Sequence, residues 1–357
     1  HSFPTRRSSD LVRRIALPLA GITFAVDADD APAAFAAFPD DARAPSYGLG
    51  VRRLDFDALL VDAVRAQPSA TVLEGAGARG LLRRDGGAVT GLATDVGAID
   101  ARVVVAADGL RSRLRAALGL GRPRRHGAAE RDSRIGLRAH LGVAALPFGP
   151  RVRVVIGRAL EYYVTPLSST ELQLAVLGAP AAFARAGLSA ATFHDHLRAH
   201  PRLDPLLADA AMLDRPLGAG PFRQPVAGVV TDGALLVGDA AGYVDAITGE
   251  GIGAALRQGL AAGEAIWAAC AGAGMRSRAP LSAAALAPYR RAHAAIVRDG
   301  DRLTELVLLL ARHPWLARRA IASLARRPAV LQHLLRVHAG APLSSVPLRD
   351  WALLVAG

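Results

Sequence analysis

The chain has no lysine, no asparagine and a single cysteine, Cys270. One cysteine excludes an internal disulfide, which fits a reducing compartment, and a cytoplasmic location is the expectation. No uncharged apolar run reaches the ~18 residues that a membrane-spanning helix needs. Aromatic residues make up only 5%, and neither zinc-finger spacing nor an aromatic-and-basic RNA motif is present. The formal charge of +12 is therefore not read as a nucleic-acid site. All 43 of the basic residues are arginines, scattered along the chain, and their abundance beside Ala and Gly reads as GC-rich coding. No metal is expected: His194 and His196 on a helix would point about 200° apart and so would not share one, and these two and His200 read as surface residues. No Ser/His/Asp arrangement is suggested, and Cys270, in an Ala-rich stretch, reads as a small packed residue. The 357 residues, 52% hydrophobic and 21% charged, suit a folded chain of two domains or one domain carrying an insertion.

Arg6-Arg7, Arg13-Arg14 and the apolar run Ile15 to Val26 imitate a secretory or twin-arginine signal. Asp10 interrupts the basic region, and the acidic turn Asp27 to Asp30 replaces a small-residue cleavage site. Ser2 to Leu11 (SFPTRRSSDL) instead looks like a translated sequencing adapter. The expectation is that residues 1–11 are non-native and that an upstream segment is missing.

Ile15 to Val26 reads as strand, Asp55 to Ala66 as an amphipathic helix and Thr71 to Leu73 as a short strand. Gly80 to Ala93 reads as a hairpin around Asp85-Gly86-Gly87. Val103 to Ala107 reads as a strand buried on both faces. Four short strands, 135–143, 152–157, 162–165 and 172–177, suggest an antiparallel sheet set in as a second domain, followed by a helix over 190–199. Ala234 to Val237 returns to buried strand, Gly251 to Ala269 is a helix, and 283–338 is helical and Arg-rich with breaks at Pro288, Pro314 and Pro328. Leu303 to Leu335 with Trp315 is a basic amphipathic stretch. It reads as a helical cap on the substrate domain or, alternatively, as a peripheral membrane contact.

Three motifs carry chemistry. In Leu235 to Gly259 a buried strand ends at Gly238, Asp239 stands at its carboxyl end, and Gly249-Glu250-Gly251-Ile252-Gly253 opens a helix. A carboxylate there can accept from sugar-like hydroxyls, and the free amides suit a pyrophosphate or an anionic ring. An ordinary strand–turn–helix with a solvent-facing Asp is the plain alternative. In Val103 to Arg115, the pattern Asp108-Gly109-x-x-Ser112-x-x-Arg115 places a capping serine and an arginine able to pair a phosphate or carboxylate. Arg53-x-x-Phe56-Asp57 spans a helix start, with Arg53 just before it and Asp57 an acid in its first turn. Gly75 to Gly80 fits G-x-G-x-x-G, but a hairpin follows it rather than a helix, so it offers no phosphate site.

Together these segments resemble the flavoprotein hydroxylases and geranylgeranyl reductases over nearly all of the chain from about Val12. The resemblance implies an α/β fold: an FAD-binding, glutathione-reductase-like Rossmann-type domain lacking its first βαβ unit, an inserted antiparallel-sheet substrate domain and a C-terminal helical region. The expected divisions are 12–125 and 226–275 for the FAD-binding domain, 126–225 for the sheet and 276–357 for the helices. It implies FAD as cofactor and NAD(P)H as reductant. It implies cofactor contacts from Arg53, Asp108, Gly109, Gly238, Asp239, Ala240, Gly249, Glu250, Gly251, Ile252 and Gly253. Tyr163, in Tyr163-Val164-Thr165-Pro166, and Ala246 would face the substrate. Ala246 departs from the proline usual in the family. No catalytic acid or base is assigned. The implied activity is hydroxylation of a small, hydrophobic organic molecule with O₂, or alternatively saturation of an isoprenoid or lipid C=C bond. A non-catalytic protein that kept the fold is the third reading. Without the first G-x-G-x-x-G, this chain is expected to bind FAD poorly and to be inactive by itself.

Overall fold

A computed structural model describes residues 11–27, 33–38, 48–84, 87–122, 133–203, 207, 209–338 and 340–351. The adapter-like stretch to residue 10, most of the acidic turn, hairpin residues 85–86 and the boundary at 125/126 lie outside these. Strands β1 (Leu17–Leu19) and β4 (Gly48–Gly50) form a small antiparallel pair. The widest layer contains β2 (Gly21–Val26), β3 (Ala33–Ala37), β9 (Ile135–Gly142), β10 (Arg151–Ile156), β11 (Leu160–Ser168), β12 (Glu171–Gly178), β13 (Ala211–Met212) and β14 (Leu217–Ala219). Its order is β13-β9-β12-β11-β10-β2-β3, with β14 also on β9.

Alternation explains why β12 is a strand of this layer. Leu172, Leu174 and Val176 are buried on one face, while Glu171, Gln173 and Ala175 are only half-buried on the other. The buried face packs under helices α3 (Pro180–Arg185) and α4 (Phe193–Arg198), through Phe183, Phe193 and Leu197. The layer differs from the sequence expectation in two ways. It draws in β2 and β3, which belong to the stretch assigned to the FAD-binding part, and β2 pairs with β10 in parallel, so the sheet is mixed. A parallel pairing between strands more than a hundred residues apart leaves no mark in local periodicity. The histidines also differ. His200 is buried and His196 half-buried, both against Tyr162, whose hydroxyl meets His196 Nε2 at 3.0 Å. Helix α4 and the turn after it lay these rings on the sheet, which a helical-wheel angle does not foresee.

A second sheet holds the site. Strand β8 (Val104–Ala106) runs parallel to β16 (Ala234–Leu236), with β15 (Val230–Thr231) antiparallel on its far side. Val104 and Ala106 are buried on one face, but Val105 on the other is 41% exposed, so β8 is covered on one face and not enclosed on both as expected. Strands β5 (Ala78–Arg83), β6 (Val89–Thr94) and β7 (Gly97–Asp100) form a meander beside it. Thr71 to Leu73 is irregular rather than strand; it is too short to hold a pairing of its own. Gly75 to Gly80 runs into β5, with no helix after it.

The remaining helices are α1 (Arg53–Arg65), α2 (Arg113–Ala117), α5 (Gly251–Gly272), α6 (Ala287–Arg312), α7 (Pro314–Arg326) and α8 (Pro328–His338). Pro288, Pro314 and Pro328 sit in the first turns of α6, α7 and α8, where a missing N–H costs no intrahelical bond. Ile321 and Leu324 of α7 and Val330, Leu331 and Leu335 of α8 pack on Val26, Ala34 and Ala36 of the wide sheet. Cys270 packs beside the core under β16. Among the described residues, no helix is long and apolar enough to cross a membrane.

Candidate functional site

Strand β16 is fully buried at Ala234, Leu235 and Leu236, and it carries the chain to Gly238. The φ of Gly238 is +60°, a conformation that a side chain disfavours, and the chain turns there. The turn is fixed by the Gly238 N–H, which donates to Gln258 Oε1 at 2.7 Å from helix α5. Asp239 follows in a single 3₁₀ turn spanning Gly238–Ala241. After a loop through Asp245 and Ala246, the chain turns again at Gly249 and α5 begins at Gly251. Glu250 stands before the helix, and no side chain caps it. The amides of Gly251, Ile252 and Gly253 therefore point out of the first turn, at the positive end of a 22-residue helix.

Asp239 is aimed at this helix start. A side chain on Gly251 would come within 3.8 Å of Asp239 Oδ1 and 3.5 Å of the Tyr243 ring. Burial raises the Asp239 pKa, and the charges of Arg53 and Arg115 pull it back down. Arg53 thus acts on the site at a distance, while its own guanidinium pairs with Asp57 at 3.0 Å on the surface of α1.

The Asp108-Gly109 motif meets the same turn from the other parallel strand. Asp108 accepts from the Ser112 hydroxyl and from Leu114 N at 3.1 Å, and Ser112 Oγ accepts from Arg115 N at 2.8 Å, so both side chains serve the start of α2. Arg115 is 7% exposed. It donates to the carbonyls of Asp239 at 3.1 Å and Ala240 at 3.2 Å, and also to Leu110 O and Gln224 Oε1. The sequence reading offered this guanidinium to a phosphate or carboxylate. In the structure it ties together two motifs 124 residues apart.

Several site residues had no local signal. Helix α6 forms the far wall of the pocket through Ile296, Val297, Gly300, Asp301 and Thr304, opposite Asp239, Tyr243 and Glu250. Thr304 and Thr248 share a hydroxyl–hydroxyl hydrogen bond of 2.9 Å. Partial desolvation, reinforced by Glu250 and Glu305, pushes the Asp301 carboxyl up to about 6, although the residue as a whole is exposed. Tyr163 does reach this region, but its hydroxyl donates to Ile247 O at 2.9 Å. Ala246 lies in the same loop, half-buried, and Ile252 is 41% exposed on α5.

The parts fit a flavin dinucleotide. The Asp239 carboxylate can accept from ribityl hydroxyls, the three α5 amides and the helix dipole suit a phosphate or an anionic ring, and the glycines admit close approach. Comparison with known proteins identifies the family. Residues 3–284 match the family model described as FAD binding domain.

The chain belongs to the FAD binding domain family.

The fold of this FAD-binding chain recurs in solved structures. The flavin-dependent brominase Bmp2 superposes with a TM-score of 0.74 at 17% identity, covering 98% of this chain and 84% of that one. A flavoprotein/dehydrogenase from Cytophaga hutchinsonii gives 0.75 at 18% identity, covering 94% and 79%. PqsL, a probable FAD-dependent monooxygenase from Pseudomonas aeruginosa, gives 0.64 at 16%, covering 88% and 84%. A digeranylgeranylglycerophospholipid reductase of Methanocaldococcus jannaschii is 45% identical over 58 residues, which span 16% of this chain and 15% of the reductase. FAD is the family's cofactor and supplies redox chemistry that side chains lack. Asp239 and the amides of Gly251 to Gly253 are the groups that would hold it, with Arg53 adding positive charge.

Proposed function

We propose that this protein is an FAD-dependent monooxygenase that uses NAD(P)H to hydroxylate a small, hydrophobic organic substrate. The observation that carries the flavin site is the uncapped start of α5 facing the Asp239 carboxylate across the Gly238 turn. Support for oxygen chemistry comes from the named activities of the neighbours, a brominase and a probable monooxygenase on the same fold. The wide sheet standing over the 243–249 loop, reached through Tyr163, is the wall against which a substrate would be held. Binding is tested by titrating FAD against the protein and following quenching of flavin fluorescence. Saturable quenching that Asp239→Ala weakens about tenfold, the loss of one charge-assisted hydrogen bond, is the expected result. Quenching indifferent to Asp239→Ala would remove the site from consideration. Oxygen uptake with NAD(P)H that rises on adding substrate then tests the activity.

A second reading, reduction of a C=C bond in an isoprenoid or lipid, is favoured by the local 45% match to the reductase. Anaerobic alkene reduction, with oxygen uptake that no substrate changes, would select it over the first.

A further inference from the structure

The wide sheet meets the flavin-facing loop through one buried ionic cluster that no sequence motif marks. Arg134 stands one residue before β9, and its carbonyl accepts from Phe222 N at 2.9 Å. Its guanidinium divides between two partners. Nη1 donates to Glu161 Oε1 at 3.0 Å and Nη2 to Glu161 Oε2, while Nε donates to Asp245 Oδ2 at 3.0 Å. The side chains of Arg134, Glu161 and Asp245 are 13%, 4% and 3% exposed. Burial works against the charge of Arg134, yet the two carboxylates more than offset it and raise its pKa. Burial raises the pKa of both acids, and Arg134 pulls each back down.

The cluster extends into the loop backbone. The second oxygen of Asp245, Oδ1, accepts from Ile247 N at 3.0 Å, and Tyr163 donates to the carbonyl of the same residue. Glu161 and Tyr163 lie two residues apart on β11 and so share one face of the strand. One strand therefore grips residues 245–247 twice, once through Arg134 and once through the phenol. Ala246 lies inside that grip, and the chain runs on through Gly249 to the open amides of α5. As a source of stability alone, two carboxylates on one buried guanidinium are a poor choice, because apolar residues of like volume serve as well or better. What a forked guanidinium adds is a fixed direction and distance for each partner.

We propose that Arg134 is a positioning residue for the flavin site: held by Glu161 on the sheet, it fixes Asp245 and with it the 243–249 loop against which the cofactor ring and the substrate would lie. This rests on the reading of that loop as flavin-facing. The chemical class it bears on is the flavin ring itself, since movement of Ile247 carries Ala246 and the α5 amides with it.

The test is amide hydrogen exchange on the full chain, read in the peptide covering Tyr243 to Glu250, with FAD affinity measured in parallel. Asp245→Asn keeps the shape but sets an amide donor against either Arg134 Nε–H or Ile247 N–H. It should speed exchange of that peptide about tenfold, leave β11 and β12 protected, and weaken FAD binding about tenfold. Arg134→Lys keeps the charge without the fork and should produce smaller changes in the same direction. Unchanged loop exchange would overturn the proposal. So would β11 and β12 loosening together with the loop, or outright unfolding of both variants, since either result makes the cluster an ordinary core ion pair. Faster loop exchange with unaltered FAD affinity would overturn its link to the cofactor. Faster loop exchange in a protein whose parent form binds no FAD would sink the flavin reading instead, and leave Arg134 as the anchor of the loop.

Discussion

The wide sheet and the flavin-facing half treat their apolar residues differently. In the sheet, Leu172, Leu174 and Val176 are fully enclosed between neighbouring strands and helices α3 and α4. In the other half, α1 buries no residue at all. Helix α5 leaves Ile252, Leu256, Leu260 and Trp267 exposed at 41%, 46%, 52% and 68%. By helical spacing these four fall within an arc of about 80°, a continuous apolar stripe beginning at the uncapped amides of the first turn. The hydrophobic driving force is met inside the chain in one half and left unmet along one face of the other. Apolar stripes of this kind mark surfaces where something else packs.

The largest effect should separate the halves directly. Leu174→Ala removes a fully enclosed side chain and should cost about 2–5 kcal/mol in urea unfolding, whereas Leu260→Ala on the stripe should stay within about 0.5 kcal/mol. Equal losses would break the comparison. Next is Arg115→Ala, which strips the donor from the Asp239 and Ala240 carbonyls and should cost about 2–3 kcal/mol. Because Arg115 holds the Gly238–Ala241 turn, the same variant should also weaken FAD binding. A stability loss with unchanged FAD affinity would confine it to the core.

Tyr289 is fully buried behind β16 and donates to Leu236 O at 2.5 Å. Tyr289→Phe should lower stability by about 1 kcal/mol and no more, since one hydrogen bond is lost and the ring remains. The smallest effect concerns Asp301. Its folded pKa lies near 6, above the ordinary 3.8, so the folded chain holds this proton more tightly than the unfolded chain does. Stability therefore falls as pH rises from 3.8 through about 6, and the penalty is complete above that window. Asp301→Asn should accordingly stabilise the protein at pH 8, by on the order of 1 kcal/mol or less after solvent screening, and do nothing below the ordinary carboxylate range. A gain of equal size at acid pH would show that the effect is not ionic.

How much was legible depended on how local the cause was. The period-two burial of β12 and the Gly238-Asp239 turn before an apolar helix are written within a dozen residues each. The prolines that open α6, α7 and α8 mark boundaries for the same reason, since the missing N–H acts on one turn. Thr71 to Leu73 looks like strand but is irregular, because so short a stretch says nothing about a partner. The apolar run at Val105 does not reveal its exposure, because burial on both faces depends on what covers each face of the sheet. The surface reading of His196 and His200 fails because local sequence does not say which side of α4, and of the turn after it, meets the sheet.

Chain chemistry alone determined the Gly238-Asp239 turn, the helix that follows it and the four strands β9 to β12, since these come from backbone geometry and periodicity over short windows. Tertiary structure alone decided that Arg115 spends its charge on carbonyls and that β2 and β3 join the wide sheet. It alone placed α6 as the wall of the pocket and set Arg134 between Glu161 and Asp245. Each of these depends on groups far apart in sequence whose desolvated charges and open hydrogen-bond positions must be answered by whatever the fold brings near, and that pairing exists only once the chain is packed.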